Sequence, residues 1–174
     1  MRKQIPAARR AVFDAAIASR LSDWLSGWLK GAGSGRVIAL WWPLAGEPDL
    51  RPYFAELVTQ GWVIALPRVP AVGEPLVFGR WHEGIAMREE HHGVRVPDPF
   101  EPVSPTLIVA PCVGFDPRGW RLGYGGGYYD RTLAVVDVPA IGAGYDCCER
   151  VLAPEPHDRR LQAVLTESRT IRCG

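Results

Sequence analysis

None of the four cysteines, Cys112, Cys147, Cys148 and Cys173, stands in a CxxC pair. That spacing marks structural zinc sites and thioredoxin-type redox centres, so neither is expected. Two adjacent cysteines also make a poor disulfide framework, and a reducing cytoplasm is the expected compartment. An excess of one charge is missing too: 20 Lys and Arg face 19 Asp and Glu, a formal charge of +1. Bulk-charge binding to nucleic acid usually needs a strongly basic domain, so no nucleic-acid partner is expected. The Arg-rich first segment carries interleaved acids and reads as a solvated face. No apolar run nears the roughly 20 residues that span a bilayer, so no membrane partner is expected. The charged N-terminus shows no apolar stretch of the signal-peptide kind. His82-Glu83 with His91-His92 fails HExxH, because Ala86 stands at the second His position.

What is present in unusual amount is glycine, proline and tryptophan: 19, 16 and 7 in 174 residues, without a repeat. That argues for a loop-rich enzyme-like domain and against a helical bundle. The length fits one domain over 1–174. Residues 1–30 read as a helix, with Ile5, Ala8, Val12, Ala15, Ala16, Leu21, Leu25 and Trp28 on one face. Three short apolar runs, 37–42, 62–66 and 106–110, read as buried strands of a parallel sheet. Between the first two, Asp49 can cap a helix burying Leu50, Tyr53, Phe54, Leu57 and Val58, with Gly61 as its stop. Strand, helix and strand in about 30 residues form a βαβ unit. Further on, Leu76–Phe78 with Trp81 reads as a strand and 84–87 as its hairpin partner. Proline-rich 97–105 reads as a stiff surface connection. A helix from Tyr128 to Val136, a strand at 140–143 and edge strands at 163–166 and 170–172 complete the pattern. The fold class is α/β: a three-layer α/β/α, Rossmann-like domain with a mostly parallel central sheet.

The chemistry-bearing segment is Phe115-Asp-Pro-Arg-Gly-Trp-Arg-Leu-Gly-Tyr-Gly-Gly-Gly-Tyr-Tyr-Asp-Arg131. It follows an expected strand and precedes an expected helix. The amides of such a glycine loop can converge on phosphate oxygens, helped by the positive end of the next helix. Arg121 and Arg131 flank it and could pair with phosphate charge, and Asp130 could hold Mg²⁺ beside phosphates. There is no GxxxxGK followed by Ser or Thr, and the GxGxxG fingerprint fails at Tyr128. On glycine content alone, a tight turn with Tyr128 and Tyr129 in the core remains an equal reading.

The whole string resembles the signature of the 5-formyltetrahydrofolate cyclo-ligase family, also called 5,10-methenyltetrahydrofolate synthetases. Leu44-Ala-Gly-Glu-Pro-Asp-Leu50 resembles the family's acidic turn, and Ala65-Leu-Pro-Arg-Val69 the end of its second strand. Pro154-Glu-Pro-His-Asp158 and Val164-Leu-Thr-Glu167 resemble its C-terminal motif. The stretches come in the family's order and cover most of the chain. The resemblance implies conversion of 5-formyltetrahydrofolate to 5,10-methenyltetrahydrofolate, with ATP as co-substrate, Mg²⁺ as cofactor, and ADP and phosphate released. A monomer acting on small molecules is expected.

Matched by position, the resemblance assigns ATP to Arg121, Leu122, Gly123, Tyr124, Gly125, Gly126, Gly127, Tyr128 and Tyr129. It assigns the formylfolate to Trp42, Glu47 and Tyr124 through Tyr128, Mg²⁺ to Asp130 and Asp158, and the reacting centre to Arg121 and Tyr128. The family usually opens with a Lys and, four residues later, an Arg, both serving ATP. Here Arg2 matches the Arg and the Lys position falls before Met1; either the start is misplaced or truncated, or another group such as Lys3 substitutes. A second acid often follows the C-terminal His-Asp, where this chain has Gln162. These departures leave a non-catalytic folate- or nucleotide-binding member as the alternative.

Overall fold

A computed structural model describes residues 5–28 and 35–174. Seven strands form one sheet in the order β11-β10-β9-β6-β1-β2-β3. They are β1 Val37–Ala39, β2 Val63–Arg68, β3 Val77–Trp81, β6 Leu107–Pro111, β9 Ala140–Ala143, β10 Ala163–Leu165 and β11 Thr170–Arg172. The five central strands are parallel, and only the edges β3 and β11 run antiparallel to their neighbours. β10 therefore lies inside the sheet, and only the second expected edge strand is an edge.

Alternate residues of each parallel strand face opposite layers, which is why these runs are apolar on both sides. Ile38, Ile64, Leu66, Leu107, Val109, Ile141, Ala163 and Leu165 face one core. Helix α1 (Ala7–Trp28) and helix α2 (Phe54–Thr59) cover it. Val37, Ala39, Ala65, Ile108, Ala140 and Val164 face the other core, packed under Tyr128, Tyr129 and Leu133 of α3 (Tyr128–Val135). The three-layer arrangement and the mostly parallel sheet are as expected.

Several local expectations give way. The buried stripe of α1 is Asp14, Ile17, Ala18, Leu21 and Leu25, a cleaner helical period than the expected face. Ala8, Val12 and Ala15 are exposed. Asp14 escaped notice because it is a carboxylate; the Tyr145 hydroxyl donates to its Oδ1 at 2.6 Å. Asp49 does not cap a helix directly. It accepts from the Arg51 amide at 3.1 Å and precedes a 3₁₀ turn, Arg51–Tyr53, that leads into α2. Phe54 and Leu57 are buried there but Val58 is exposed. Gly61, at φ 90°, ends the helix as expected. β1 stops at Ala39, short of Trp42, while β2 continues through Pro67.

The segment at 84–87 does not return to β3. β4 (Ala86–Glu89) pairs with β5 (Arg95–Asp98) in a separate hairpin, and β3 pairs with β2. The expected surface connection 97–105 is partly structural. Val96 and Pro97 are buried in β5, and residues 101–103 hydrogen-bond along β3. The loop 111–123 holds a small hairpin, β7 (Gly114–Phe115) and β8 (Arg121–Leu122).

Candidate active site

The chain runs from β1 to β2 on one side and later returns to place β6 on the other side of β1. At such a switch point the loops leaving neighbouring strands diverge and open a crevice at their carboxyl ends. A cavity of about 660 Å³ lies there. The loop after β1 supplies Trp41, Trp42, Leu44, Ala45 and Glu47; the end of β2 and the residue after it supply Pro67 and Val69; β6 supplies Pro111. Leu76, Val94, Arg121 and six residues of 123–129 complete the wall. The size suits a small-molecule ligand.

The acidic turn is built by its own hydrogen bonds. The Leu44 amide donates to Glu47 Oε2 at 2.8 Å, and the Glu47 amide donates to the Leu44 carbonyl at 3.1 Å. This folds the Glu47 carboxyl inward, where it is 6% exposed. Burial pushes its pKa up from 4.5 to about 7, against the opposing pull of the Leu44 amide and the Arg121 charge. Gly46 makes the turn at φ 90°, and the Tyr124 hydroxyl donates to the Ala45 carbonyl. The acidic turn and the glycine loop are thereby tied together across the cavity.

The β7–β8 hairpin delivers Arg121. Its turn is held by Asp116, which accepts from the Arg118 amide at 2.8 Å and from Arg118 Nε at 3.0 Å. Gly119 sits at φ 96°, where a Cβ would stand 2.6 Å from the Leu161 carbonyl oxygen. Only glycine fits both demands. The Arg121 side chain is 4% exposed. Its Nη2 donates to Asp130 Oδ2 at 3.2 Å, and its guanidinium lies 5.0 Å over the Tyr129 ring. Arg121 Nε and the Tyr129 hydroxyl are buried without partners. A buried cation so thinly bonded suits an anionic ligand able to complete its donors.

The glycine loop leads straight into α3, whose N-cap Gly127 is left-handed at φ 63°. Gly126 cannot carry a side chain without meeting the Tyr128 ring at 2.7 Å.

Of the residues expected at the site, Trp42, Glu47, Arg121, Gly123, Tyr124, Gly126, Gly127, Tyr128 and Tyr129 all line the one cavity. Asp130 adjoins it through Arg121. Leu122, 42% exposed, and Gly125, at φ 91°, do not line it. Asp158 lies apart, accepting the Glu155 amide at 2.7 Å within its own turn. Among the described residues no group of three or more His, Cys, Asp and Glu side chains comes together as a metal site. Arg2 and Lys3 lie outside the described residues. Trp41, Pro67, Val69 and Pro111 were missed as cavity walls. Their signal was available, since each stands at or just past the end of an apolar strand. Val94 had none, because the β4–β5 hairpin that brings it in was misread.

A buried carboxyl, a buried guanidinium and a glycine loop at the switch point of a parallel sheet are the features of an α/β enzyme with a small-molecule site. A family model for the 5-formyltetrahydrofolate cyclo-ligases matches residues 1–167. The 5-formyltetrahydrofolate cyclo-ligase of Mycolicibacterium smegmatis is 33% identical over 84% of this chain and 82% of its own length. That of Escherichia coli is 32% identical over 76% and 79%. The solution structure of the Aquifex aeolicus 5,10-methenyltetrahydrofolate synthetase superposes with a TM-score of 0.78, covering 98% of this chain and 85% of that one at 29% identity. The Mycoplasma pneumoniae enzyme of the same name shares the fold, with a TM-score of 0.75 over 94% and 90% at 22% identity. This chain belongs to the 5-formyltetrahydrofolate cyclo-ligase family.

Proposed function

We propose that the cavity between β1 and β6 is where this ATP-dependent cyclo-ligase converts 5-formyltetrahydrofolate to 5,10-methenyltetrahydrofolate, releasing ADP and phosphate. A formamide oxygen is a poor leaving group. Transfer of the γ-phosphoryl group to that oxygen makes an activated imidate-like ester. The folate N10 then attacks the formyl carbon and phosphate departs. Positioning and charge neutralisation are what such a transfer asks of the protein.

The observation that carries this reading is that Glu47 and Arg121 line one cavity. Both side chains are buried, and the Arg121 charge bears on the Glu47 carboxyl. Glu47 is placed to accept the N–H donors of a pterin edge, with Trp42 as an apolar wall. Arg121 is placed to take phosphate charge. Tyr128, at the loop's end, is assigned to the reacting formyl group. The glycine loop, Gly123 to Gly127, supplies backbone amides without Cβ obstruction.

Asp130 and Asp158 are the carboxylates assigned to Mg²⁺. Oxygen donors from one or two carboxylates, with the rest from substrate phosphates and water, suit that ion. Asp130 fits, since Arg121 engages one of its two oxygens; Asp158 fits by donor type. A bound Mg²⁺ supplies neutralisation of the charge that moves from ATP to the formyl oxygen. Action as a monomer in the cytoplasm belongs to the same reading. Among the described residues no helix is long and apolar enough to cross a membrane.

The test is a spectrophotometric assay with Mg-ATP and 5-formyltetrahydrofolate, following the near-ultraviolet band of the methenyl product. The band should require both ATP and Mg²⁺ and disappear in Asp130→Asn. Folded protein that binds ATP yet forms no band would instead make this chain a non-catalytic binder.

A further inference from the structure

ATP brings a dense negative charge into the cavity, and the cations on hand must be counted against the acids already holding them. Arg121 does not bring a free charge, because Asp130 lies 3.2 Å from it and Glu47 is within its field. Arg51 is held by Asp49 at 2.6 Å. Arg68 and Arg88 both reach Glu90, at 3.1 Å and 2.9 Å. Arg131 is different. Its guanidinium donates to the Gly126 carbonyl, 2.5 Å from Nη2, and lies 4.9 Å over the Tyr128 ring. Among the described residues no carboxylate pairs with it, and its Nε is buried without a partner. It arches so closely over the glycine loop that a Cβ on Gly127 would stand 2.8 Å from its Nη1. Gly126, Gly127 and Tyr128 all line the cavity.

Resting on the assignment of ATP to the glycine loop, we infer that Arg131 is a second phosphate-binding cation of the site, supplying the positive charge that the Arg121–Asp130 pair does not. Stacking on Tyr128 and the bond to Gly126 pre-orient the guanidinium at the loop. The lost freedom is then met before the nucleotide arrives. A guanidinium can turn two parallel donors toward a phosphoryl oxygen pair. Its contact is with the co-substrate alone, so formylfolate affinity should not depend on it.

The experiment compares wild type, Arg131→Gln and Arg131→Lys in the methenyl assay and in equilibrium titrations with a non-hydrolysable ATP analogue and with 5-formyltetrahydrofolate. Gln keeps a donor for the Gly126 carbonyl and loses the charge, whereas Lys keeps the charge and loses the fork. The KM for ATP and the analogue Kd should rise about 10- to 100-fold in Arg131→Gln, the range for a charge-assisted hydrogen bond. The rise should be smaller in Arg131→Lys, and 5-formyltetrahydrofolate should bind all three within about twofold. If Arg131 only braces the loop, Gln would leave ATP untouched, or both ligands would weaken together; either result overturns the inference. An inactive wild type would refute the assigned reaction instead, and the analogue titrations would still decide Arg131.

Discussion

Replacing Glu47 with Gln should make the unliganded protein more stable at pH 8 while weakening its hold on 5-formyltetrahydrofolate. The unfolded chain ionises this carboxyl near 4.5, and the folded protein holds its proton to about 7. A folded pKa raised above the unfolded one stabilises the fold fully below pH 4.5, and that contribution is lost as the pH rises towards 7. The difference is worth about 3 kcal/mol, and at 6% exposure little of it is screened. Gln is uncharged at every pH and keeps an oxygen for the Leu44 amide. Its advantage should therefore be near zero at pH 4.5 and approach about 3 kcal/mol above pH 7.5. For a chain of this size each kcal/mol moves Tm by about 2–4 °C, so the gain at pH 8 is about 6–12 °C. Loss of a charged acceptor should weaken folate binding by about 10- to 100-fold. Differential scanning fluorimetry from pH 4.5 to 8.5, with folate titrations at pH 8, reads both effects. A melting difference that does not grow with pH, or unchanged folate affinity, would refute the burial argument or the folate assignment respectively.

Tyr145→Phe removes the hydroxyl that the buried Asp14 accepts at 2.6 Å, and should cost about 1–3 kcal/mol. Burial already holds the Asp14 pKa up, and losing a donor to its ionised form raises it further, so the melting deficit should shrink as the pH falls through the carboxylate range. Asp158→Asn should leave the fold intact but raise the Mg²⁺ concentration for half-maximal turnover by about tenfold; an unchanged Mg²⁺ curve would remove Asp158 from the metal site. Gly142→Ala places a Cβ 2.6 Å from Cys112 Sγ and 2.7 Å from Leu161 Cδ1 in the core, an overpacking of about 1–3 kcal/mol. Adding Cys112→Ala should recover part of that loss in a chemical-denaturation cycle, and strictly additive effects would show that no such contact exists.

The cavity at the β1–β6 switch point joins residues from distant segments through few tethers. Tyr124 on the glycine loop bonds the acidic turn at Ala45, and Arg121 bonds Asp130 on α3. These ties are why single residues here are expected to bear on both stability and function, with opposite signs at Glu47. The raised carboxyl is a cost to the empty fold that a ligand with paired N–H donors would repay on binding.

Local chemistry was legible in the sequence itself. Strand positions follow from apolar runs flanked by Gly and Pro, because a strand buried on both faces admits little else. The start of α3 after Gly127 follows from a glycine at the turn, and the ordered motifs around 44–50, 115–131 and 154–167 point to the family. Pairing decisions were not legible. That β4 pairs with β5, and that Asp14 is buried beneath Tyr145, depend on contacts between residues far apart in sequence. A period of two or 3.6 says which face is apolar but not what meets it. Likewise Glu47 reads as an ordinary loop acid in its heptad of residues. Only the walls around it, brought from the loop after β1, from β6, β8 and the glycine loop, take away its water and shift its proton.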